Sequence, residues 1–192
     1  MRRYRFLSVL FALTALSGAG AVNLSGTVSG DLPARSRISA WLVSASGAPV
    51  SEFASAPLEP GGRFSLQLPD SAPGGQGLRS FSPDTLTWPG VSGRISVIPS
   101  GLQTGELKLF AYADSNGDGR RDESEALLEI PATSGRSHLV LVYVSAPVQV
   151  QAGGGLNISL PAGWSAVSIE GGKSVKASRL TEVSGLKLNV LH

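Results

Sequence analysis

Short apolar stretches separated by clusters of Gly, Pro, Ser and Asp recur along most of the chain, and this punctuation constrains the fold more than any other feature. Val22–Val28, Arg37–Ala45, Arg63–Leu68, Gly93–Ile98, Glu106–Ala113, His138–Val150, Leu156–Leu160, Trp164–Ile169 and Gly185–Leu191 are rich in β-branched or alternating apolar residues, which predicts strands. In Arg63–Leu68 the side chains of Phe64, Leu66 and Leu68 share one face, with Arg63, Ser65 and Gln67 on the other, so one side is buried and one wet. Leu139–Val144 is apolar without interruption, as expected of a central strand covered on both sides. Only Glu123–Leu128 could seed a helix, and a short one. With 24 Gly and 12 Pro the chain is too broken for a helical bundle, and at 42% apolar it is too hydrophobic for disorder. The fold class expected is all-β, an antiparallel β-sandwich.

The first residues are of another kind. Arg2, Arg3 and Arg5 precede the apolar run Phe6–Leu16, and Ala19-Gly20-Ala21 supplies small residues before Val22. This reads as a signal peptide over residues 1–21, with an uncleaved anchor as the alternative. The expected destination is secretion or the periplasm and cell envelope, with no transmembrane segment after cleavage. Removing the three leader arginines from 16 basic residues leaves 13 against 14 acidic ones, a net charge of −1. Nucleic-acid binding thereby loses its electrostatic support. The chain has no Cys, so disulfide staples, thiol catalysis and Cys-based metal sites are excluded. Residues 22–192 suffice for a single β-sandwich domain, with a division after about residue 75 as the lesser option.

One segment carries metal chemistry. In Asp114-Ser115-Asn116-Gly117-Asp118-Gly119-Arg120-Arg121-Asp122-Glu123-Ser124-Glu125, oxygen side chains fall at positions 1, 3, 5, 9 and 12 with Gly at 6, the spacing of a calcium loop. Calcium takes about six to eight hard oxygens, and a loop curling around an ion turns alternate residues inward. Asp114, Asn116, Asp118 and Glu125 are the candidate side-chain ligands, Asp122 acts directly or through water, and Arg120 offers its carbonyl after the turn at Gly119. Magnesium fits less well because it demands a tight octahedron.

Two resemblances can be attached to these residues. Leu24-Ser25-Gly26-Thr27-Val28, Ile38–Val43 and Pro60-Gly61-Gly62-Arg63–Pro69 resemble the opening of carboxypeptidase regulatory-like, transthyretin-like sandwiches, which implies a non-catalytic attachment. Independently of that, Gly26 within a strand marks a bulge or a close backbone approach, and Gly61-Gly62 suits a hairpin turn. The acidic segment, following a strand and bearing Arg121 where an EF-hand has an apolar residue, resembles the calcium loops of bacterial surface-protein B-type repeats. That likeness implies ligand roles for Asp114, Asn116, Asp118, Arg120, Asp122 and Glu125. It is more distantly similar to dockerin loops, but the duplicate that a dockerin needs is missing.

Catalytic chemistry finds little footing, and no catalytic residue is assigned. His138 and His192 are the only histidines, too few for a multi-imidazole metal centre, and no G-x-S-x-G elbow is present. Glu52, Glu59, Asp70 and Asp84 are scattered acids expected in solvent. The function expected is a calcium-stabilised binding or structural module whose partner is an envelope protein or a polysaccharide. The alternative is a carbohydrate-binding protein that stacks sugars on exposed tryptophans. For that reading Trp88 is the best exposed candidate, Trp41 belongs to the core and Trp164 could be either.

Overall fold

The computed structural model describes residues 21–134 and 136–190. The expected leader lies outside these residues except for Ala21. The strands in chain order are β1 (Asn23–Ser29), β2 (Ser36–Val43), β3 (Pro49–Pro57), β4 (Arg63–Gln67), β5 (Arg79–Ser80), β6 (Ser96–Ile98), β7 (Gln103–Ala113) and β8 (Leu128–Ile130). They continue as β9 (Thr133–Ser134), β10 (Ser137–Val144), β11 (Val148–Ala152), β12 (Leu156–Leu160), β13 (Gly163–Glu170), β14 (Lys176–Leu180) and β15 (Val183–Asn189). The molecule is all-β, and no α-helix occurs among the described residues. The helix expected over Glu123–Leu128 does not form. Glu125 turns its carboxylate onto the amides of Ser115 and Asp122, and Leu128 opens β8 instead.

A central sheet runs β14-β13-β10-β7-β2-β3, with β5 and β8 beside β7 and β9 beside β10. Two smaller sheets, β15-β1-β4 and β12-β11-β6, complete the architecture. Alternation along β10 shows how they are arranged. Leu141 joins a core with Leu24, Phe64, Leu66 and Leu188 of the first small sheet, whereas Val140, Val142 and Val144 join one with Val150, Leu156 and Leu160 of the second. Successive strand residues point to opposite faces, so each small sheet packs on its own face of the central one. Full burial of each such Val or Leu is worth roughly 1.5–3 kcal/mol, which is why an uninterrupted apolar run settles in the middle layer.

Pairing is antiparallel in every described ladder except β1 with β15, which run parallel. Gly26 shows both features expected of it: the β1–β15 register shifts between Leu24 and Gly26, and a Cβ there would collide with the carbonyl oxygen of Leu186. Gly61 and Gly62 take φ of 80° and 71° in the turn between β3 and β4. The run His138–Val150 is two strands, broken at Ser145–Pro147, where proline cannot donate to a ladder. Strands β3 and β14 are absent from the apolar pattern because both lie at edges of the central sheet, where Ser, Ala, Glu, Lys and Arg suffice.

The second small sheet covers only the β10–β13 part of its face. Over β2 and β7 that face carries a small cluster of Trp41, Val43 and Phe110, with Leu127 packed on it. Between the two regions Arg79 and Glu106 form an ion pair at 2.9 Å, both side chains largely buried. Burial pushes the Glu106 carboxyl above its ordinary value of 4.5, with the Arg79 guanidinium opposing the shift.

Candidate functional site

The acidic segment leaves the end of β7 and folds back over this outer face. Its anchor is Asp114, whose side chain is 7% exposed and stands 3.8 Å from the Arg37 guanidinium. Asp114 Oδ1 accepts a hydrogen bond from the Gly117 amide (2.8 Å) and Oδ2 accepts one from the Gly119 amide (3.0 Å). Those bonds draw the chain into a curl that requires positive φ at Gly117 (77°) and Gly119 (79°), where a side chain would be strained. Asn116 Oδ1 accepts from the Asp118 amide (2.9 Å), and Asp118 Oδ1 accepts from the Arg120 amide (2.8 Å). The buried Glu125 closes the segment, its two carboxylate oxygens accepting from the amides of Ser115 (2.7 Å) and Asp122 (2.9 Å).

The candidate ligands therefore meet within one curl. The Asn116 side-chain amide donates to Asp118 Oδ2 (3.1 Å) and to Asp122 Oδ2 (2.9 Å), placing a partial positive charge between two carboxylates. Each carboxylate oxygen that accepts one amide bond retains a second lone pair. The donor set of four carboxylates, an amide oxygen and a backbone carbonyl is the hard-oxygen chemistry that calcium takes. Among the described residues, however, no three His, Asp or Glu side chains already stand close enough to hold a metal together. The residues fit calcium by donor chemistry, and occupancy would require the carboxylates to draw closer and the Asn116 amide to turn its oxygen inward.

Beneath the curl lie groups that the sequence pattern did not single out. Ser55 Oγ and Tyr112 Oη donate to the Gly119 carbonyl at 3.3 and 3.5 Å, and Arg37 donates to Ser55 Oγ at 3.1 Å. Glu52, expected in solvent, instead lies on β3 as a half-buried residue, because β3 pairs with β2 and the loop roofs it over. Burial raises the Glu52 carboxyl above its ordinary value, opposed by the Tyr112 hydroxyl, the Arg121 amide and the Arg37 guanidinium. Burial likewise raises the Tyr112 phenol. Arg121 donates from Nε to the Glu125 carbonyl (2.9 Å), and its guanidinium stands 6.0 Å from the centre of the Trp41 ring. Asp70, Asp84 and Glu59 are exposed as expected.

All three tryptophans are buried, which overturns the expectation for Trp88. Trp88 is 3% exposed and packs 6.3 Å from Phe81 over the second core. Its neighbours Thr87 and Pro89 are exposed, as a loop requires, yet the indole between them is buried in that core. Trp164 donates from Nε1 to the Ser71 carbonyl (3.0 Å) inside the first core, and Trp41 is in the outer cluster. Stacking of sugars on exposed indoles therefore has no surface here. His138 is exposed near the start of β10, and His192 lies outside the described residues. No protein-family model, curated protein or solved structure matches the chain.

Proposed function

We propose that this is an exported, non-catalytic β-sandwich module of the cell envelope or secreted space, stabilised by one calcium ion held in the 114–125 loop. Asp114, Asn116, Asp118, Asp122 and Glu125 would hold the ion through side-chain oxygens, Arg120 through its carbonyl, and calcium would offset the carboxylate charge that Arg37, Arg120 and Arg121 leave unbalanced. The observation that carries this reading is the meeting of Asp118 and Asp122 on the Asn116 amide, inside a curl tied down by the buried Asp114 and Glu125. The basic and apolar residues 2–21 support export, and the resemblance within residues 24–69 to carboxypeptidase regulatory-like, transthyretin-like sandwiches supports an attachment role, with an envelope protein or polysaccharide as the partner. Extracellular calcium modules bind with Kd on the order of 0.1–1 mM, a range suited to that setting.

The test is thermal unfolding in millimolar calcium and in chelator, for wild type and Asp118→Ala. Calcium should raise the melting temperature of wild type and leave Asp118→Ala unmoved. Identical wild-type curves in the two buffers reject the proposal.

A further inference from the structure

The central sheet forks, and the fork opens a second candidate site on the rim of the molecule. β7 pairs with β10 as far as Leu107 opposite Leu141, but from Leu109 onward its neighbour is β8, with Ile130 opposite. β10 meanwhile continues beside β9, with His138 opposite Thr133. Lys108 stands at the point of division. A half-open cavity of about 180 Å³ lies there, its apolar wall formed by Leu107, Leu109, Ile130, Leu139 and Leu141 and its polar wall by Lys108, Glu129 and Thr133. An apolar cavity of about 150 Å³ is enough to take a benzene ring.

An outer groove of about 370 Å³ shares Pro89 and His138 with this cavity as walls and is otherwise bounded by Arg136 and the Gly90, Gly171 and Gly172 turns. The charge at the two levels differs. At the cavity, Lys108 and Glu129, which line it with partly exposed side chains, are paired at 2.8 Å, so that pair is neutral. Outside, no carboxylate lines the groove among the described residues, and Arg136 forms no ion pair among them. Small-molecule sites combine a mostly apolar hollow with a few convergent polar groups, and a guanidinium with no ion pair among the described residues, lining the same groove as an imidazole, is suited to a carboxylate.

We propose that the fork binds a small organic carboxylate, its ring-sized apolar part in the cavity between β7, β8 and β10 and its anionic group between Arg136 and His138. The site shares no residue with the acidic loop and stands or falls independently of calcium.

The experiment is a titration of the full chain with benzoate, benzyl alcohol and acetate, followed by amide chemical shifts. Benzoate should move resonances of residues 129–133 and 138–141, while the neutral alcohol and the tail-less anion bind at least about tenfold more weakly, as expected when one charged or one apolar contact is missing. Arg136→Ala with His138→Ala, both at exposed positions, should weaken benzoate about tenfold and leave benzyl alcohol unchanged. Ala132→Phe, which fills the cavity, should abolish the shifts. Unmoved resonances at millimolar benzoate, shifts mapping elsewhere, or benzyl alcohol binding as tightly as benzoate would overturn the proposal.

Discussion

The two halves of the central sheet solve the same problem by different means. Over β10 and β13 both faces are dry: Leu141 and Ala166 lie against one small sheet, Val142 and Val167 against the other. Over β2 and β7 only the inner face is covered by a sheet. The outer face carries Trp41, Phe110, Arg37, Glu52 and Tyr112, roofed by a polar loop and not by strands. A layer of valines excludes water through area alone, whereas a roof of carboxylates and guanidinia does so only while its charges are matched. The first half should be insensitive to ions and pH, and the second should respond to both.

The sharpest way to break this contrast is at the boundary pair. Arg79→Met should destabilise by about 3–5 kcal/mol by leaving Glu106 buried without its counter-charge, whereas Arg79→Met with Glu106→Leu should lose much less. Urea midpoints for the two variants measure the difference, and equal losses would mean that the pair is not desolvated. Next in size, Leu141→Ala and Leu160→Ala open holes in opposite cores and should each cost about 2–5 kcal/mol. If the shared middle layer couples the cores, one transition moves in both variants by circular dichroism and by tryptophan fluorescence. Two separated transitions would show that each small sheet unfolds on its own.

Acidity gives a smaller signal with a definite sign. Burial raises the Glu106 carboxyl in the folded state, so between its ordinary value of 4.5 and that raised value the folded chain holds a proton that the unfolded chain has released. Stability should therefore fall as pH rises through this window, and the slope of melting temperature against pH should be shallower in Glu106→Gln. An unchanged slope assigns the proton elsewhere, with Glu52, the other carboxyl raised by burial, the next to replace. The smallest effect expected is at the roof itself. Arg121→Ala removes the guanidinium from the Trp41 ring and should cost about 0.5–1 kcal/mol, with a red shift of indole emission as water reaches the ring.

Much of the scaffold was legible in the residues. Phe64, Leu66 and Leu68 alternate into the first core, Leu139–Val144 is covered on both sides, and Gly26 and Gly61-Gly62 lie where a missing Cβ is required. The convergence of Asn116, Asp118 and Asp122 follows from the spacing of their oxygens along a curl. Trp88 and Glu52 were misread because each sits in a stretch without periodicity, where burial depends on what lies overhead.

Residue order by itself determined the things that neighbours along the chain can enforce: which stretches extend, which face of each is apolar, where the backbone must turn, and which oxygens can share a curl. Only the tertiary structure decided that β1 takes β15 as a parallel partner, that one sheet separates two cores, that Glu52 and Trp88 are covered, and that β7 changes neighbours at Lys108. The physical reason is that a side chain's surroundings are set by segments distant in sequence, and pairing among many short strands is chosen by the area they bury together and not by any pattern within one of them.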